Sequence, residues 1–160
     1  MNQSSSFFKK NSALFSYTTG EYITPKWLYD QLNEEFHFKL DPCTTEDNPL
    51  DTTFYYTKED NGLEYPWDRS TFVNPPYGRD VGEWVKKAYD SVMKYGVIIV
   101  MLLPVRTDTK WFHDYIYKKP KVEIRFIRGR LKFEGAVNPQ FSKQPKNNTA
   151  PFPSMIVIFR

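Results

Sequence analysis

Apolar positions recur first at helical spacing and then in alternation. In "TPKWLYDQLNEEF", Trp27, Leu28, Leu32 and Phe36 form one stripe, with Thr24 placed as a cap and Pro25 suited to the first turn. A helix over about 25–36 is predicted. "FHFKLD" alternates, which predicts a short strand stopping at Asp41–Pro42. "TFYYT" and "STFVN" predict two more strands, the second ending at Asn74, with an Asn-Gly turn between them in "KEDNGLEYPW". "DVGEWVKKAYDSVMKYG" sets Val81, Trp84, Val85, Ala88 and Val92 on one helical face, and Gly96 stops it.

"VIIVMLLP" is an unbroken apolar run, the signature of a strand covered on both faces and the natural centre of a sheet. "DTKWFHDYIY" predicts another helix, capped by Thr107 or Asp108. "KVEIRFI", "RLKF" and "SMIVIFR" predict three final strands. Two stretches have no period. Residues 1–20 are Ser-rich and read as a flexible N-terminal arm. Residues 134–153, rich in Pro, Asn and Lys, are too long for a plain connection and read as a substrate loop.

Strands alternating with helices predict an α/β sheet with helices on both faces. The 160 residues fit one compact domain, over 21–160. Composition adds three points. Aromatics reach 18%, more than a core requires, so some are available to stack on a ligand. A net charge of +3 is compatible with a nucleic-acid partner. One cysteine, Cys43, excludes an internal disulfide, and two distant histidines, His37 and His113, argue against a metal site. No apolar stretch is long enough for a membrane span and no signal-peptide core is visible, so a cytoplasmic protein is expected.

The candidate chemistry lies in "FVNPPYG". In open α/β sheets, ligands collect at the carboxyl ends of strands, where Asn74 would stand. Its side-chain oxygen can accept from an amine. Pro75 and Pro76 contribute carbonyls without competing N–H groups and stiffen the array. Tyr77 adds a flat face on which a base can stack, worth roughly 1–3 kcal/mol. The set suits a planar ring with an exocyclic amino group, whose two hydrogens go to Asn74 and to the Pro75 carbonyl. On this reading the stacking needs the Tyr77 ring and not its hydroxyl.

Asn-Pro-Pro-Tyr is also the signature of amino-group methyltransferases. With "YITPKWLYDQLNEEFHFKLDPC", "EDNGLEYPW", "VIIVMLLPVRTDTKWF", "IRFIRGRLKF" and "PSMIVIF" in order, the chain resembles the phage-type DNA N6-adenine methyltransferase (Dam) family over residues 22–160. The resemblance implies a Rossmann-like methyltransferase sheet and S-adenosyl-L-methionine as donor. It departs from many such enzymes in lacking a Gly-rich loop after the first strand, where "KLDPCTTEDN" stands. The implied donor-binding set is Thr24 and Pro25 at the methionine pocket, and Asp41, Pro42 and Cys43 at the amino-acid end. Asp60 would take the donor's adenine amino group and Leu63 its ring, with Asn74 shared between both reactants. Asp47 and Asp51 are further acidic candidates, and Trp67 reads as core.

A DNA partner calls for cations that hold phosphates. Arg128, Arg130 and Lys132 in "RFIRGRLKF", with Arg125 before them, are candidates, as are Arg79, Arg106, Lys143 and Lys146. Lys86 and Lys87 read as helix surface. An RNA base or a protein glutamine would present the same amino group, and a catalytically silent nucleic-acid-binding module would keep the same fold. The basic residues and the resemblance favour adenine in DNA.

Overall fold

A computed structural model describes residues 22–134 and 149–160. The expected N-terminal arm, and loop positions 135–148 with Lys143 and Lys146, lie outside the described residues. The elements in chain order are α1 (Lys26–Phe36), β1 (Leu40–Thr44), β2 (Phe54–Thr57), a short 3-10 turn (Gly62–Glu64), β3 (Thr71–Val73), α2 (Val81–Tyr95), β4 (Ile99–Pro104), α3 (Lys110–Tyr115), β5 (Val122–Phe126) and β6 (Ser154–Phe159). The strands form one six-stranded sheet in the order β2-β1-β3-β4-β6-β5. The pairs from β2 to β4 are parallel, and β6 is antiparallel to both β4 and β5.

The apolar run of β4 is buried at every position, as a strand between two covered faces must be. Its side chains alternate. Ile99, Met101 and Leu103 join Trp84, Val85 and Ala88 of α2 and Phe112 of α3 in one core. Val100 and Leu102 join Leu28, Leu32 and Phe36 of α1 in the other. Strand β6 divides in the same way, Met155 and Val157 to one face and Ile156 and Ile158 to the other. The domain is thus a mixed α/β sheet with helices on both faces, the Rossmann-like methyltransferase arrangement.

Several local features differ from the sequence expectation. Thr24 does not cap α1; Pro25 occupies the N-cap position, and the Lys26 N–H donates to Glu134 Oε1 at 2.9 Å. Neither Thr107 nor Asp108 caps α3, which begins after Thr109. β1 does not stop at Asp41–Pro42 but continues through them to Thr44. "RLKF" is not a strand: Lys132 makes one isolated bridge to Thr149, while Leu131 and Phe133 are buried. Alternation there reflects burial of two side chains without a ladder. Arg125 reaches at the surface to Glu35 on α1 at 2.7 and 2.8 Å and to Glu123 at 2.6 Å, linking β5 to the helix.

Phe72 sits fully buried in β3 between Tyr29 and Phe38. Phe72→Ala is expected to lower the unfolding free energy by about 3–5 kcal/mol in urea titrations. A loss below about 1 kcal/mol would be incompatible with that packing.

Candidate active site

β1, β2 and β3 are parallel, so their carboxyl ends share one edge of the sheet. β1 runs to β2 on one side, while the chain returns to β3 on the other, which makes the β1–β3 boundary the switch point where ligands bind in such sheets. The strands separate there. Pairing of β1 with β3 ends at Leu40–Thr71, and its register with β2 slips between Asp41 and Thr44, around a proline that has no N–H to give. The result is a cleft of about 970 Å³, part of it open to solvent.

Asn74–Tyr77 line this cleft together with Asp41, Pro42, Cys43 and Thr24. Pro25 is buried just outside it, at the head of α1. The Asn74 amide is fixed: its Nδ2 donates to the Tyr22 carbonyl at 2.7 Å and to Thr24 Oγ1 at 3.0 Å. Its Oδ1 is buried and has no partner among the described residues. No described hydrogen bond ends on the Pro75 carbonyl either. An orphaned buried acceptor costs about 1–3 kcal/mol, which a ligand N–H recovers.

The Tyr77 hydroxyl is not idle, as the sequence suggested, but donates to the Leu102 carbonyl of β4 at 3.0 Å. That bond pins the ring to the sheet, and burial pushes the phenol pKa well up. The Tyr22 ring stands beside it, tilted, at 5.5 Å, and Phe152 meets it edge-on at 5.4 Å.

Asp41 is the acidic group of the cleft, whose lining also includes Lys58. Burial pushes its carboxyl up to about 7, against the pull of the Cys43 N–H at 3.1 Å and the Thr44 side chain. A cation entering the cleft would draw off that proton. Burial, then the Asp41 charge, pushes the Cys43 thiol up, so it remains a thiol packed in the wall.

Other expected positions fall outside the cleft. The Asp60 carboxylate accepts from Thr57 N–H at 2.8 Å and Thr57 Oγ1 at 2.9 Å, closing a turn, and the wall next to it is formed by Asn61 and Gly62. Leu63 packs on the α2-side core. Asp47 and Asp51 are exposed, Asp47 accepting from the Thr45 hydroxyl. Arg79, Arg106, Arg128, Arg130 and Lys132 are exposed and enter no ion pair among the described residues.

The sequence reading missed Gly62. A Cβ there would stand 1.9 Å from the Pro42 carbonyl oxygen, so only glycine lets this loop press on β1. Trp67, fully buried, holds the loop by donating Nε1–H to the Gly62 carbonyl at 2.9 Å. The Asn-Gly pair marked a turn but gave no sign of this long-range contact. Among the described residues, no cluster of His, Cys, Asp and Glu could hold a metal, and no helix is long and apolar enough to cross a membrane.

A family model described as DNA N-6-adenine-methyltransferase (Dam) matches residues 12–160. A DNA N-6-adenine-methyltransferase of Haemophilus phage HP1 is 30% identical over 141 residues, covering 86% of this chain and 77% of that protein. A second, from Escherichia phage T1, is 38% identical over 97 residues, covering 59% of this chain and 38% of its own.

Two outcomes are expected of the cleft wall. Gly62→Ala should lower the thermal midpoint by roughly 4–8 °C, because backbone must move to admit the methyl group; an unchanged midpoint would refute the contact. Asp41 carries a folded-state pKa of about 7 against an ordinary 3.8. Its contribution to stability is therefore complete below about pH 4 and is lost as pH rises toward 7. Urea midpoints of the ligand-free protein should fall across that window more steeply than those of Asp41→Asn. Parallel curves would contradict the burial of the acid.

Proposed function

The chain belongs to the phage-type DNA N-6-adenine-methyltransferase (Dam) family, and from that premise we propose that it methylates the N6 amino group of a flipped-out adenine in DNA, with S-adenosyl-L-methionine as donor. The observation that carries the reading is the buried, unpartnered Oδ1 of Asn74 in a cleft that also holds an acidic group. A silent module would have no use for an acceptor kept open at a cost in stability.

Asp41 and the backbone of Pro42–Cys43 fit the cationic amino-acid end of such a donor, since a buried carboxyl near neutrality ionises readily beside an ammonium group. Bound there, S-adenosyl-L-methionine supplies a methyl group on a positively charged sulfur. Asn74 Oδ1 and the Pro75 carbonyl receive the two hydrogens of the adenine amino group. This turns the nitrogen lone pair out of conjugation with the ring. Tyr77, held by β4, keeps the ring plane in place. The N6 lone pair forms the new bond to carbon, and the carbon–sulfur bond breaks with its pair going to sulfur. The amino group then releases one proton along its hydrogen bonds to solvent. Alignment of two held reactants accounts for several kcal/mol of the barrier, and no strong base is needed.

Extruding the base costs a few kcal/mol, offset by phosphate contacts. Arg79, Arg106, Arg128, Arg130 and Lys132 supply these from the surface, with Lys143 and Lys146 of the 134–153 loop joining them.

Incubation with labelled donor and DNAs of varied sequence, followed by mapping of modified adenines, tests the reading. Label on N6 of adenine is expected; no transfer to any DNA, or label on RNA or protein alone, would overturn it. Asn74→Ala should lower kcat about 100-fold or more while circular dichroism stays native. Retention of more than a tenth of the activity would remove Asn74 from the mechanism.

A further inference from the structure

We propose that the Thr24 hydroxyl is a positioning group for methyl transfer: together with the Tyr22 carbonyl it locks the Asn74 amide so that Oδ1 alone is left to meet the amino group. The inference rests on the function proposed above and extends it to a residue outside the Asn-Pro-Pro-Tyr motif.

A primary amide has two N–H donors and one acceptor oxygen. Both donors of Asn74 are engaged, at 2.7 Å to the Tyr22 carbonyl and at 3.0 Å to Thr24 Oγ1. A flipped amide would set Oδ1 against the Tyr22 carbonyl oxygen, two acceptors in repulsive contact. The surroundings therefore dictate the rotamer. Thr24 is only 4% exposed, which limits competition from water for the bond.

The segment bearing both acceptors is itself held. The Glu134 N–H donates to the Ile23 carbonyl at 2.9 Å, and Glu134 Oε1 accepts from the Lys26 N–H at 2.9 Å. Thr24 thus lies between two anchors on one residue. Its hydroxyl has no capping duty, since α1 has no side-chain cap. A side chain for which the resemblance implies a place at the methionine pocket is hydrogen-bonded to the amide that bears the acceptor meant for the other reactant.

Thr24→Val keeps the shape and removes the acceptor; Thr24→Ala, which adds no branch, is measured beside it. kcat should fall about tenfold, the scale of one net hydrogen bond. Donor affinity should stay within about twofold on the same scale, and Thr24→Ser should restore kcat. In NMR spectra of the protein alone, the Asn74 side-chain amide protons should exchange faster with water in Thr24→Val than in wild type.

Wild-type kcat in the variants, or unchanged Asn74 amide exchange, would overturn the proposal. So would weakened donor binding at unaltered kcat, which places Thr24 against the donor. A wild-type enzyme inactive on every DNA would refute the functional reading, while the exchange measurement would still decide whether Thr24 locks the amide.

Discussion

One amide governs the site. Asn74 follows β3, yet the groups that fix its side chain come from the segment before α1, 50 and 52 residues away. The sheet brings the two together. Phe72 and Val73 bury β3 from both faces, and the helix after Tyr22–Thr24 packs Leu28, Leu32 and Phe36 onto one of them. The core therefore stabilises an arrangement that leaves a buried oxygen unpaired. A surface site would let water fill that oxygen, and its selectivity for an amino group would be lost.

The cleft divides into two chemistries across the β1–β3 gap. On the β1 side stands Asp41, a dry carboxyl that gains from a cation. On the β3 side stand acceptors without donors, suited to a neutral amine. Proline appears on both sides, as Pro42, where the missing N–H interrupts the ladder between Asp41 and Thr44, and as Pro75–Pro76 just beyond the end of β3; each leaves a carbonyl open to a neighbour or a ligand. At Pro42 the neighbour is Gly62, which follows β2 in the chain and presses on the Pro42 carbonyl with no room for a Cβ.

The periodic elements were legible because their signals are local. The apolar run of β4 and the stripe of α2 could be read from adjacent residues. So could the motif after β3, since Asn, two prolines and Tyr carry their chemistry in their own side chains and backbone. What escaped depends on distant partners. The Thr24 hydroxyl turns to Asn74, Glu134 rather than a local side chain receives the first N–H of α1, and the Tyr77 hydroxyl finds a carbonyl on β4. Asp60 closes its own turn, a local option that its sequence allowed equally well. Arg125 reads as a phosphate candidate because it leads the basic residues of "RFIRGRLKF", but two glutamates, one on α1 and one on its own strand, meet it.

The most direct test of the open acceptor uses a DNA duplex in which the target adenine is replaced by purine, which lacks only the amino group. Binding of wild type and Asn74→Ala to the adenine and purine duplexes forms a cycle in which the cost of base extrusion cancels. The account predicts that the substitution weakens binding of the adenine duplex about tenfold and leaves the purine duplex within about twofold. Equal weakening of both would contradict it, since Asn74 would then act on something other than the amino group.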